Sequence, residues 1–168
     1  AQIRFCQLTD ELLKDRLSNA QRLQLLKSNL PKLVDSSSFG VLSIAQWSID
    51  VKLPEFALEL QNTHPQAFEK SGENTYLLAE ANLRLGRQDE AERIAKLASE
   101  RMDLSPQAKE LSKKHNLVDL VARNRFRLAR RLEDRGLFSW AEIEYKAALG
   151  NSTTNFDVAI RKALASFY

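Results

Sequence analysis

Cysteine is nearly missing. Cys6 is the only one, so no disulfide can close within the chain, and paired-thiolate metal or redox chemistry has no ligands to use. Cys6 reads as a small buried apolar residue rather than a reactive thiol. Histidine is almost as scarce. His64 and His115 stand far apart, and neither has a second His, Cys or carboxylate at ligand spacing, so no metal site is expected. His64 precedes Pro65 and reads as a helix-end residue. Glycine (5) and proline (4) are too few for a linker-rich or disordered chain. No apolar run reaches the roughly 18 residues of a membrane span, and no signal peptide is visible. A Gly-rich phosphate loop, a G-x-S-x-G elbow and a Cys–His pairing are all absent. Adjacent acids such as Asp10–Glu11 and Glu133–Asp134 fall on different helix faces. The expectation is therefore a protein without catalytic residues, cofactor or metal. No helix pairs a strong basic face with an exposed apolar one, so a lipid-surface role is not expected either. From the start at Ala1 without Met and the end on Ser-Phe-Tyr, the expectation is a segment cut from a longer protein.

What is present is helical pattern. With 168 residues, 43% hydrophobic and 28% charged, the chain can bury a sizeable core or form a short repeat array. Apolar residues recur at helical spacing, and no period-2 strand pattern appears. Thr9 precedes Leu12, Leu13 and Leu17. Ser18 with Gln21 forms a capping-box pattern ahead of Ala20, Leu23, Leu26 and Leu30. Pro31 should end or kink that helix, because it lacks an N–H donor and crowds the preceding turn. Residues 35–38 read as a loop that can cap the next helix. Helices of about 12 to 15 residues should follow. Breaks are expected near Lys52–Pro54, His64–Gly72, Gly86–Asp89, Asp103–Pro106, Asn116, Gly136–Ser139 and Gly150–Thr154. Ser105 before Pro106 marks one helix start, and Ser139 with Glu142 marks another.

The pattern also repeats. A-E-A-N-L-R-L-G-R-Q-D-E-A (79–91) and A-R-R-L-E-D-R-G-L-F-S-W-A (129–141) share Ala, Gly seven residues on, and Ala five after that. Each has a further Ala, Ala98 and Ala148. A weaker copy, A-Q-W-S-I-D-V-K-L-P-E-F-A (45–57), keeps both alanines but has Lys52 where the others have Gly86 and Gly136. Small residues let two helices approach closely, and glycine accepts the positive φ at a helix end. Leu78, Ile94, Leu128, Leu132, Tyr145 and Leu149 should fill the layer between hairpins. A bundle with chance coincidences is the plainer alternative.

These residues resemble the tetratricopeptide repeat, a 34-residue helix–turn–helix family. Ala45 and Ala79 are 34 apart, and Ala79 and Ala129 are 50 apart, which implies an insertion of about 16 residues. The resemblance implies an all-α, α-α superhelix of degenerate repeats. Its parts would be N-terminal helices at 1–37 and an array at 38–155 with repeats 38–71, 72–105 and 122–155. An inserted helix would occupy 106–117, and a truncated terminal helix 156–168. Val41, Thr75 and Arg125 replace the family's early aromatic. The first helix of each pair would line a concave groove, which implies Phe39, Leu42, Ser43, Gln46 and Ile49, then Tyr76, Leu77, Glu80 and Arg84, as groove residues. The family's carboxylate clamp uses Lys and Asn, whereas Leu42, Gln46 and Leu77 stand at its first three positions and Arg123 and Arg127 at its last two. The full clamp is absent.

The stretch A-R-N-R-F-R-L-A-R-R (122–131) carries five arginines. On a helix, Arg123, Arg127 and Arg130 share one stripe, with Asp134 continuing it, while Val121, Leu128, Ala129 and Leu132 face the other way. Arg125 falls on the buried side. It should either snorkel to the surface or pair with an acid such as Glu142 or Glu144. Three readings of the stripe stand: a solvated face with an Arg130–Asp134 pair, a surface for an acidic protein or peptide, and a polyanion surface. Residues 105–135 carry nine basic against four acidic residues, while the chain as a whole is only +3. Phe126 is the one aromatic among the arginines, where nucleic-acid binding wants many phosphate contacts and stacking. The leading expectation is a non-catalytic protein-interaction scaffold using Arg123, Phe126, Arg127, Arg130, Tyr76, Glu80, Arg84, Leu42 and Gln46. Nucleic-acid binding is disfavoured. A self-association module, with Phe156, Phe167 and Tyr168 as an end face, is the remaining alternative.

Overall fold

The computed structural model describes residues 17–33, 38–103, 118–152 and 156–167. The start at Thr9, Cys6, the loop at 35–37, the inserted helix at 106–117 and Tyr168 lie outside the described residues. Within them the protein is all-α, with no strand. The elements are α1 (Asn19–Leu33), α2 (Ser38–Asp50), α3 (Pro54–Thr63), α4 (Pro65–Glu69), α5 (Gly72–Arg84), α6 (Gln88–Arg101), α7 (Val118–Asp134), α8 (Phe138–Gly150) and α9 (Asp157–Ala165). The chain divides into two compact units, one ending at Ala98 and one beginning at Ser99.

In the first unit, α1 opens on the expected capping box. The Gln21 N–H donates to Ser18 Oγ at 3.3 Å, and the Ser18 N–H donates to Gln21 Oε1 at 2.8 Å. Pro31 does not stop α1, which runs on to Leu33. So near the end, its missing N–H forfeits one bond of a turn that is closing anyway. Helices α2, α3, α4 and α5 pack on one another. The break expected at 64–72 contains α4, a single turn started by Pro65. Its last carbonyls are satisfied by α5. Asn74 Nδ2 donates to the Ala67 carbonyl at 2.8 Å and Thr75 Oγ1 to the Phe68 carbonyl at 3.0 Å. Ser71 caps α5, accepting the Asn74 N–H at 3.3 Å.

Three turns follow one plan. In the first, the Lys52 N–H bonds the Ile49 carbonyl at 3.1 Å and the Leu53 N–H bonds the Ser48 carbonyl at 2.8 Å. Gly86 and Arg87 repeat this on Leu83 and Asn82, at 3.0 Å each. Gly136 and Leu137 repeat it on Glu133 and Leu132, at 2.8 Å each. The middle residue is left-handed each time, with φ of 74° at Gly86, 75° at Gly136 and 64° at Lys52. Lys52 is the one non-glycine with positive φ among the described residues. The side chain that breaks the sequence pattern is thus held in the conformation glycine adopts freely.

The alanines carry the packing. Ala45, Ala57, Ala79, Ala91, Ala98, Ala129, Ala141 and Ala148 all have 0% exposure. All eight were set by the repeat interval. Leu78, Ile94, Leu128, Leu132 and Tyr145 are buried beside them, while Leu149 is only half-buried. Buried polar groups close on local backbone. Ser48 Oγ bonds the Ala45 carbonyl at 2.8 Å, and Asn82 Nδ2 the Leu78 carbonyl at 2.9 Å.

In the second unit, α7 packs along α8, and α9 packs on α8. The box expected at Ser139–Glu142 does not form. Leu137 is the N-cap of α8, with no side-chain cap bond. Leu137 must close the turn onto Leu132 and is itself buried, so α8 begins at Phe138 and Ser139 lies inside its first turn. Glu142 instead pairs with Lys146 at 2.7 Å.

Candidate functional site

Helix α7 sorts its arginines by face. Ala122, Arg125, Leu128, Ala129 and Leu132 are buried, while Arg123, Asn124, Arg127, Arg130, Arg131 and Asp134 are exposed. The inward arginine is fully engaged. Arg125 is 1% exposed, and its Nη1 donates to Glu144 Oε2 at 2.6 Å, with Glu144 at 0%. Its Nη2 donates to Asp103 Oδ1 at 2.7 Å and to the Ser99 carbonyl at 3.0 Å. Of the two acids considered for it, Glu144 is the partner. Its Nε, also buried, has no hydrogen-bond acceptor. Arg125 is a structural cation and not part of a surface.

The outward arginines differ. The Arg127 guanidinium donates to the neutral Asn124 Oδ1 at 2.6 Å. Arg123 lies over the Phe156 ring, 5.9 Å from its centroid. The Arg130–Asp134 pair suggested by the spacing does not form. Among the described residues, Arg123, Arg127 and Arg130 have no carboxylate at ion-pair distance. Among the described residues, therefore, these three positive charges share one stripe with no carboxylate paired to them.

Phe126 is not available to a partner in the way the sequence suggested. Its ring meets Tyr145 edge-on at 5.4 Å and Phe156 at 5.1 Å. Phe167 extends the cluster to Tyr145 at 5.8 Å and to Phe138 at 6.3 Å. The aromatic tail that read as an open end face is thus largely folded onto α7 and α8. Edge-to-face rings favour this arrangement. The Tyr145 hydroxyl donates to Glu133 Oε2 at 2.7 Å. Burial, then this bond and the Glu133 charge, push the Tyr145 phenol well above its ordinary range, against a smaller opposing effect of Arg130.

In the first unit the expected groove residues scatter. Tyr76 and Glu80 are buried, Leu42, Ser43, Gln46 and Leu77 are half-buried, Ile49 is buried and Arg84 is exposed. The side chain of Phe39 lies outside the described residues. Tyr76 and Glu80 are drawn inward because α5 is a central helix of this unit, packed by α2, α3 and α4. Arg84 covers Glu80 with Nε at 3.3 Å and Nη2 at 3.1 Å from Oε1. Gln46 reaches both oxygens of Asp50 at 3.4 Å. Glu80 and Arg84 do come together, in a cleft of about 590 Å³ with Ile49, Asp50, Lys52, Pro54, Glu55 and Leu85. Sequence reasoning did not find this cleft. Its one available signal was Lys52, standing where the repeat wants glycine.

Among the described residues, no three His, Cys, Asp or Glu side chains gather to hold a metal ion, and no helix is long and apolar enough to cross a membrane. The one described histidine, His64, shares a 2.8 Å contact between Nδ1 and Thr63 Oγ1. No protein-family model, curated protein or solved structure matches the chain.

Proposed function

We propose that this chain is a tetratricopeptide-like helical repeat that works as a protein-interaction scaffold and has no catalysis of its own. Its partner is a protein or peptide bearing carboxylates, which docks on the exposed face of α7. The observation that carries this reading is the stripe Arg123, Arg127 and Arg130, three guanidiniums on one exposed helix face without a described carboxylate partner. Guanidinium pairs with carboxylate in two-pronged fashion. The recurrence of the alanine-packed hairpin supports the repeat assignment. The same charges could serve a polyanion, so the test sets the two against each other. A glutamate-rich peptide and a single-stranded oligonucleotide of equal charge are titrated against the protein and its Arg123→Glu/Arg127→Glu/Arg130→Glu variant. The proposal expects peptide binding that the variant loses. Oligonucleotide binding with a steep salt dependence, and none of the peptide, would favour the polyanion reading. Binding of neither would leave an architectural module.

A further inference from the structure

Among the exposed residues of α7, which also include Asn124 and Arg131, five lie along one side of the helix. Leu120 is 50% exposed, and Arg123, Arg127, Arg130 and Asp134 follow it on the same side. The intervals are three, four, three and four residues. This alternation is that of a heptad seam, where two helices lie side by side and side chains interdigitate. The seam runs about 21 Å along the helix axis at 1.5 Å per residue. Its order is one apolar residue, three cations and one anion.

Resting on the docking reading above, we infer that this face is a seam for a single amphipathic acidic helix of a partner protein. The occupant carries an apolar residue opposite Leu120, carboxylates opposite the three arginines, and a base opposite Asp134. Charge complementarity selects it over the other occupants. A second copy of this chain, laid symmetrically along the seam, would set arginine against arginine. A nucleic-acid strand would bring phosphate onto Asp134 and gain nothing from Leu120. Two of the guanidiniums are already oriented, Arg123 by the Phe156 ring and Arg127 by Asn124, so less ordering remains for binding to supply.

The test uses stapled helical peptides of about three heptads. One carries Leu, Glu, Glu, Glu and Lys at the seam spacing, made in both chain directions. Its control has the same composition and staple with the glutamates spread round the helix. Anisotropy is expected to show the in-register peptide binding at least about tenfold tighter, a difference of about 1.4 kcal/mol. Arg123→Glu/Arg127→Glu should lose it, and a peptide with lysines in place of the facing glutamates should bind that variant. Because both positions are exposed, circular dichroism should show the variant folded. Equal binding of the two wild-type probes would overturn the seam and leave the docking reading standing. Binding of neither, at low salt, would overturn both.

Discussion

Replacing Glu144 by alanine should cost the second unit more than any surface change. The carboxylate has 0% exposure and lies 2.6 Å from an arginine that is itself 1% exposed. Removing one partner of such a pair strands the other charge in a poorly solvating interior, at about 3–5 kcal/mol. Arg125 keeps Asp103, whose side chain is 50% exposed, and the Ser99 carbonyl. These place the expected loss near the lower end, about 3 kcal/mol. With a urea dependence of about 2 kcal/mol per molar, the midpoint should fall by about 1.5 M. Buried Trp140 on α8 reports on this unit, and Trp47→Phe removes the only other tryptophan. Arg125→Met together with Glu144→Leu should recover stability or exceed it, since an apolar pair needs no desolvation compensation and also removes the unsatisfied Arg125 Nε. A midpoint shift under about 0.3 M for Glu144→Ala, or a double variant weaker than the single one, would refute the reasoning.

The turns give a prediction of opposite signs. Lys52→Gly should stabilise the first unit by about 0.5–1 kcal/mol by relieving the left-handed backbone, whereas Gly136→Ala should cost about 1 kcal/mol although its Cβ would meet nothing within 4 Å. Thermal melts of both variants check this. Ala141→Leu should cost about 1–3 kcal/mol by overpacking, while the same change at exposed Ala159 should stay within about 0.5 kcal/mol. Tyr145 sets an alkaline limit. The unfolded chain releases its phenol proton near pH 10, whereas the folded chain holds it longer. Stability present below about pH 10 should therefore decline as pH rises past it, by up to about 1.4 kcal/mol per pH unit. Tyr145→Phe should flatten that slope and cost about 1 kcal/mol at neutral pH through the lost Glu133 bond.

The hairpins could be read from the chain because close helix approach demands small side chains at fixed intervals. That demand leaves its mark as Ala45, Ala57, Ala79, Ala91, Ala129 and Ala141. Gly86 and Gly136 were legible for a similar reason, as positions where backbone geometry restricts the choice of residue. Arg125 was legible as an inward charge, although the wheel alone could not choose Glu144 over Glu142. Residues whose fate depends on a neighbour from another element were not legible. Phe126 looked open because its ring partners, Tyr145 and Phe156, lie far along the chain. Tyr76 and Glu80 were expected in a groove because the repeat resemblance assigns them there by position, and position in a repeat does not tell a central helix from an edge one. Ser139 looked like a cap because the pattern ignores what Leu137 must do in the turn.

The most direct measurement of the docking claim is NMR observation of arginine Nε–Hε signals as the in-register acidic helix is added. The account predicts that the Arg123, Arg127 and Arg130 signals move together and saturate, while that of Arg125, locked on Glu144 and Asp103, stays in place. Movement centred instead on Arg84 and the cleft beside Lys52, with the α7 signals unchanged, would contradict it.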